Sequence, residues 1–119
     1  MAGHHLMTQF NGILHPRISD DLILSSLHPT PAVGGYPKEK ALKYIKELEP
    51  FNRGWYAGVL GFAGYNSAEF CVAIRSGLVK GKTLTLYAGA GIVKESTMEG
   101  EWNEIEEKIK SFYEPIQIP

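Results

Sequence analysis

A chain of 119 residues makes one domain or part of one, because compact domains commonly hold about 100–200 residues. Its 44% hydrophobic and 21% charged residues exclude a disordered or fibrous chain, and 12 basic against 13 acidic residues, with no separate Lys/Arg cluster, argue against nucleic acid as a partner. With Cys71 as the only cysteine, an internal disulfide and a paired-cysteine zinc or redox site are ruled out, and a reducing compartment is expected.

The opening residues, MAGHHLMTQF, have neither the basic start nor the apolar run of a signal peptide. No stretch approaches the roughly 18 apolar residues of a membrane span. The expected location is the cytoplasm, with no membrane partner. Met1–His4 read as start or tag residues and 5–114 as the folded portion.

From Leu6 to Leu14, apolar and small residues fall on alternate positions (Leu6, Thr8, Phe10, Gly12, Leu14), which predicts a first strand. Ser19, Asp20 and Asp21 then supply a cap and an acidic first turn for a short helix ending near His28. Pro29, Pro31, Gly34, Gly35 and Pro37 make His28–Pro37 a loop of special backbone positions. After Pro37, the apolar set Ala41, Leu42, Ile45 and Leu48 predicts an amphipathic helix that Pro50 ends. Trp55–Ala63 and Glu69–Val79 predict a hairpin turning at Gly64–Ser67, and Lys80-Gly81 leads into the alternating strand Thr83–Ala88. The last helix, Met98–Tyr113, carries Trp102, Ile105, Ile109 and Phe112 at helical spacing. The class is α+β: a mostly antiparallel sheet with helices on one face.

Projecting the last helix at about 100° per residue from Glu101 puts Glu104 near 300° and Lys108 near 340°. Both border an apolar stripe that runs from about 20° at Phe112 to about 100° at Trp102. Glu106, Glu107 and Lys110 point away. Glu104 and Lys108 can therefore be a plain i,i+4 ion pair, or Glu101 and Glu104 can offer oxygens to Mg²⁺ one turn apart; spacing does not choose. In the strand that contains FCVAIR, Arg75 shares a face with small residues, including Gly77, leaving room for an anion that its fork would match. The plainer reading is a surface arginine or a partner for a nearby glutamate. YAGAGIV ends a strand in two glycines that permit close backbone approach, but Lys94 stands where a dinucleotide fingerprint needs its third glycine. His5, His15 and His28 lack metal spacing to one another, and no serine or cysteine sits in a nucleophile elbow.

Together the segments HPTPAVGG (28–35), RGWYAGVLG (53–61), FCVAIR (70–75), YAGAGIV (87–93) and EWNEIEEK (101–108) resemble, in order and spacing, the C-terminal part of the chorismate-binding enzymes. HPTPAVGG resembles the isochorismate synthase branch; the anthranilate and aminodeoxychorismate synthases usually show a proline-alanine-glycine-threonine segment there. The resemblance implies Mg²⁺ as cofactor and chorismate and isochorismate as ligands. It implies metal binding by Glu104, with Glu101 close by and acting through water. Arg75 and Tyr56 match residues that hold a substrate carboxylate, Gly89 a backbone contact to substrate, Lys108 a lysine near the anion, and Thr30 and His5 pocket-lining positions. The family's activating lysine, its acid glutamate and a further metal-binding glutamate have no match in this chain. The resemblance therefore implies part of an isochorismate synthase, produced by cloning, a truncated reading frame or processing, inactive alone and prone to self-association. The alternatives are a salicylate-forming or other chorismate-using enzyme, and a non-catalytic α+β binding module.

Overall fold

A computed structural model describes residues 7–116. Four helices and four strands follow in the order α1 (Asp20–Leu27), α2 (Pro31–Gly34), α3 (Lys38–Leu48), β1 (Val59–Ala63), β2 (Ala68–Val72), β3 (Ser76–Lys80), β4 (Thr83–Tyr87) and α4 (Met98–Ile116). The helix ends follow local chemistry. Ser19 stands at the N-cap of α1 ahead of Asp20 and Asp21, and Pro37 occupies the N-cap of α3. Thr97 starts α4: its hydroxyl accepts the Gly100 N–H at 3.2 Å, and its carbonyl accepts that of Glu101 at 3.0 Å.

The short α2 lies inside the expected loop. Pro31 supplies its first residue and Gly35, at φ +73°, its C-cap, where the left-handed backbone suits glycine. Gly34 is buried where α2 packs on α3, with a side-chain position that Pro29 already fills.

Each pair of strands is an antiparallel hairpin: Val59–Ala63 runs against Ala68–Val72, and Ser76–Lys80 against Thr83–Tyr87. Gly81, at φ +61°, opens the two-residue turn of the second, as a turn with a left-handed first central position requires.

The α+β class with antiparallel strands holds, while its internal layout differs from the sequence reading in four respects. Residues 7–14 form no strand, since an alternating segment becomes one only against a partner and no described strand pairs with it. Trp55–Gly58 is a turn, with Gly54 at φ +57° and its N–H bonded to Asn52 Oδ1 at 2.8 Å. The long strand expected over Glu69–Val79 is broken at Ala73–Arg75 by Arg75, at φ +47°. That break divides the sheet into two separate two-stranded ribbons, and no described helix lies broadly across either.

The interior is correspondingly thin. Among the described residues Ala57 is the one buried hydrophobic side chain with a Cβ, still 8% exposed, while Phe10, Ile13 and Tyr65 are almost wholly exposed and Leu60 and Phe62 more than half exposed. A radius of gyration of 16.9 Å exceeds the value of about 13.5 Å expected for a closed domain of this length. Among the described residues no helix is long and apolar enough to cross a membrane.

Candidate functional site

Two kinks at one end of the first ribbon shape the site. Past Val59 and Val72 the ladder continues as Ala57 N–H to the Ala73 carbonyl at 2.9 Å and Ala73 N–H to the Gly58 carbonyl at 2.8 Å. Ala57 (φ +62°) and Arg75 (φ +47°) flank this last pair in the left-handed region, which costs an L-residue about 1–2 kcal/mol. Tyr56 and Arg75 thereby leave the strand direction and line one cleft of about 160 Å³, together with Ala32, Val33, Arg53, Ile74, Gly89, Ala90, Gly91 and Lys108.

Tyr56 is fixed from several sides. Its ring stacks on Tyr87 with centroids 6.0 Å apart and planes 14° from parallel, and the Arg53 guanidinium lies over it, 5.9 Å from the ring centre. Gly89 abuts the phenol so closely that a methyl group in its place would overlap the hydroxyl. Gly89→Ala should therefore displace Tyr56 and weaken binding of a carboxylate ligand by about tenfold, a cost of about 1.4 kcal/mol. Calorimetric titration checks this, and unchanged affinity would remove Tyr56 from the ligand wall.

Lys108 joins α4 to the glycine turn, its Nζ donating to the Gly89 carbonyl at 2.9 Å and pairing with the Glu104 carboxylate. The i,i+4 pair is thus formed, with Glu104 half exposed and Lys108 largely covered. One turn earlier, Glu101 keeps a buried carboxylate oxygen, Oε2, without a hydrogen-bond partner among the described residues. A buried carboxylate oxygen left so is costly, and a hard cation or its water satisfies it. Among the described residues no cluster of three or more His, Cys, Asp or Glu could hold a metal unaided.

The outer face of α4 matches the projection for Lys110, which pairs with Glu107 at 2.8 Å and holds that carboxyl below its usual range. Trp102 departs from it. Assigned to the apolar stripe, it is 61% exposed and donates its Nε1–H to Glu106 at 3.0 Å, because no described element covers that edge of the helix.

Arg75, Tyr56, Gly89 and Lys108 are therefore brought together, and Glu104 joins them through Lys108. Arg75 is exposed, forms no ion pair among the described residues, and lies in a bend rather than in a strand. Thr30 is not in the cleft wall; its carbonyl starts α2 by accepting the Val33 and Gly34 N–H groups at 3.0 and 2.8 Å. His5 lies outside the described residues. Sequence reasoning missed Arg53 as a member of the cleft. Its Nε donates to Glu49 Oε2 at 2.7 Å, its Nη2 pairs with Glu49 Oε1, and its Nη1 reaches the Val33 carbonyl at 2.9 Å. The hydrogen bond to Glu49 raises the Arg53 pKa above its usual value, against partial burial.

Around the glycine turn Arg75 has no ion-pair partner among the described residues and Lys108 shares its charge with Glu104, an arrangement whose chemistry can accept a small anion. The family profile described as chorismate binding enzyme matches residues 3–117, and this chain belongs to that family. It is 48% identical to isochorismate synthase 2, chloroplastic, of Arabidopsis thaliana over 114 residues, which are 95% of this chain and 20% of that protein. It is 47% identical to an isochorismate synthase of Bacillus subtilis over 107 residues, 89% of this chain and 23% of the relative. Over 115 residues, 96% of this chain and 23% of the relative, it is 32% identical to anthranilate synthase component 1 of Neisseria gonorrhoeae. The chain thus spans between a fifth and a quarter of the length of these relatives.

Proposed function

We propose that this chain forms the carboxylate-binding wall and part of a Mg²⁺ site in an isochorismate synthase, which isomerises chorismate by adding water to the ring and losing the ring hydroxyl. The supporting observation is the convergence of Tyr56, Arg75, Gly89 and Lys108 on one cleft in a member of the chorismate-binding family. The branch is supported by higher identity to the two isochorismate synthases than to the anthranilate synthase. An enzyme that carries on to salicylate by eliminating pyruvate would use the same wall, and product analysis separates the two.

In this reading the Arg75 fork holds a carboxylate in bidentate fashion, and the Tyr56 hydroxyl donates to it. The Gly89 turn brings backbone close to the ligand, and Lys108 adds a cation beside the anion. Glu104 and Glu101 would contribute to holding Mg²⁺, Glu101 through water. When bound, the ion offsets the negative charge of a substrate carboxylate. The reaction also needs a base on one face of the ring and an acid on the other. The reading assigns both to the part of the relatives that this chain does not span, so the chain alone binds without turnover and self-associates through its exposed apolar faces.

The test combines chromatographic detection of isochorismate, calorimetric titration with chorismate and Mg²⁺, and light scattering. We expect binding without product, in a self-associated state. Isochorismate should form once the chain is mixed with the Bacillus relative lacking its matched segment. Turnover by the purified chain would refute the division of labour. Failure to bind chorismate both alone and in the mixture would refute the function.

A further inference from the structure

We propose that Arg53 is a positioning residue, which locks Tyr56 and the α2 turn together as one side of the cleft. Three segments meet on this one guanidinium: the Glu49 carboxylate at the end of α3, the Val33 carbonyl in α2, and the face of Tyr56. Each uses a different part of the group. The edge formed by Nε and Nη2 takes the carboxylate, Nη1 takes the carbonyl, and the charged centre sits over the ring at 5.9 Å.

Charge separates this role from direct recognition of substrate. The Glu49 carboxylate already neutralises Arg53 and occupies its bidentate edge, so little net attraction remains for a second carboxylate. Arg75, in the same cleft, has no such partner among the described residues. Arg53 thus acts through Tyr56 and Val33, both of which line the cleft. A lysine cannot substitute, because a compact ammonium lacks the planar fork that engages Glu49 and Val33 at once.

The test uses the whole chain carrying Arg53→Lys, Arg53→Gln or Glu49→Gln, with ¹³C-labelled tyrosine rings read by NMR and chorismate affinity by calorimetry. All three variants should shift the Tyr56 ring resonances while the amides of the β3–β4 ribbon stay in place. The lysine and glutamine variants should lose chorismate affinity alike, by about tenfold. Should Arg53→Gln unfold the ribbon, Glu49→Gln decides, since it retains Arg53 and removes only its anchor. Wild-type affinity in Arg53→Lys would overturn the proposal, as would a loss of affinity with unmoved Tyr56 resonances, which would make Arg53 a direct ligand. The affinity arm rests on the chorismate reading. If the wild-type chain binds no chorismate, either alone or in the mixture, while Tyr56 shifts in the variants, that reading fails and the positioning role stands.

Discussion

Arg75→Ala should weaken chorismate binding by about a hundredfold, and Arg75→Lys should not restore it, because a bidentate charge-assisted pair is worth about 2–3 kcal/mol and an ammonium lacks the planar fork. The backbone supplies an internal control. Arg75 sits at φ +47°, so Arg75→Gly relieves strain and should fold at least as stably as wild type, by up to about 1 kcal/mol in thermal or urea melts. Its chorismate affinity should nonetheless fall as far as that of the alanine variant. Affinity retained in either the glycine or the lysine variant would remove the guanidinium from recognition.

Glu104→Gln should abolish the Mg²⁺-dependent tightening of chorismate binding, and Glu106→Gln on the outer face should leave it intact. The sign reverses without the metal. There the Glu104 variant frees Lys108 from its carboxylate partner, so chorismate should bind at least as well as to wild type. Stability should change little, since a partly exposed i,i+4 pair contributes a few tenths of a kcal/mol. Titrations with and without Mg²⁺ give both comparisons, and identical Mg²⁺ responses in the two variants would reduce Glu104 to the simple ion pair.

The helices were the most legible part of the fold, because period and capping are local signals. Ser19, Pro37 and Pro50 bounded α1 and α3 closely, and the stripe of α4 placed Ile105, Lys108 and Ile109 on its covered side. The strands were less legible, because alternation marks an extended segment without naming its partner. Residues 7–14 alternate as well as β4 does, yet only β4 has a described neighbour. Nor does alternation reveal a bend. FCVAIR reads as an unbroken strand, and the left-handed turn at Arg75 has no compositional mark such as a glycine.

The site was legible through spacing that resembles a family, which drew Tyr56, Arg75, Gly89 and Lys108 together although they stand far apart along the chain. Arg53 lies in the same segment as Tyr56, RGWYAGVLG (53–61). Its signal was the i,i+4 spacing from Glu49, but Pro50 falls between them and a helical pairing rule does not carry across it. The pair forms nonetheless, because the Asn52–Gly54 turn folds the chain back.

Most of this chain's apolar surface is open, so little interior pressure is available to hold a binding group still. At Arg75 the stiffness has another source. The residue lies between the two ribbons, and its left-handed corner, which costs free energy by itself, is held in place by the hydrogen bonds at Ala73. The anchor point of the guanidinium is therefore set by a few backbone hydrogen bonds rather than by a packed core. Recognition geometry here thus hangs on a short hydrogen-bonded ladder that opposes local strain, and fraying of that ladder should let the corner straighten and withdraw Arg75 from the cleft.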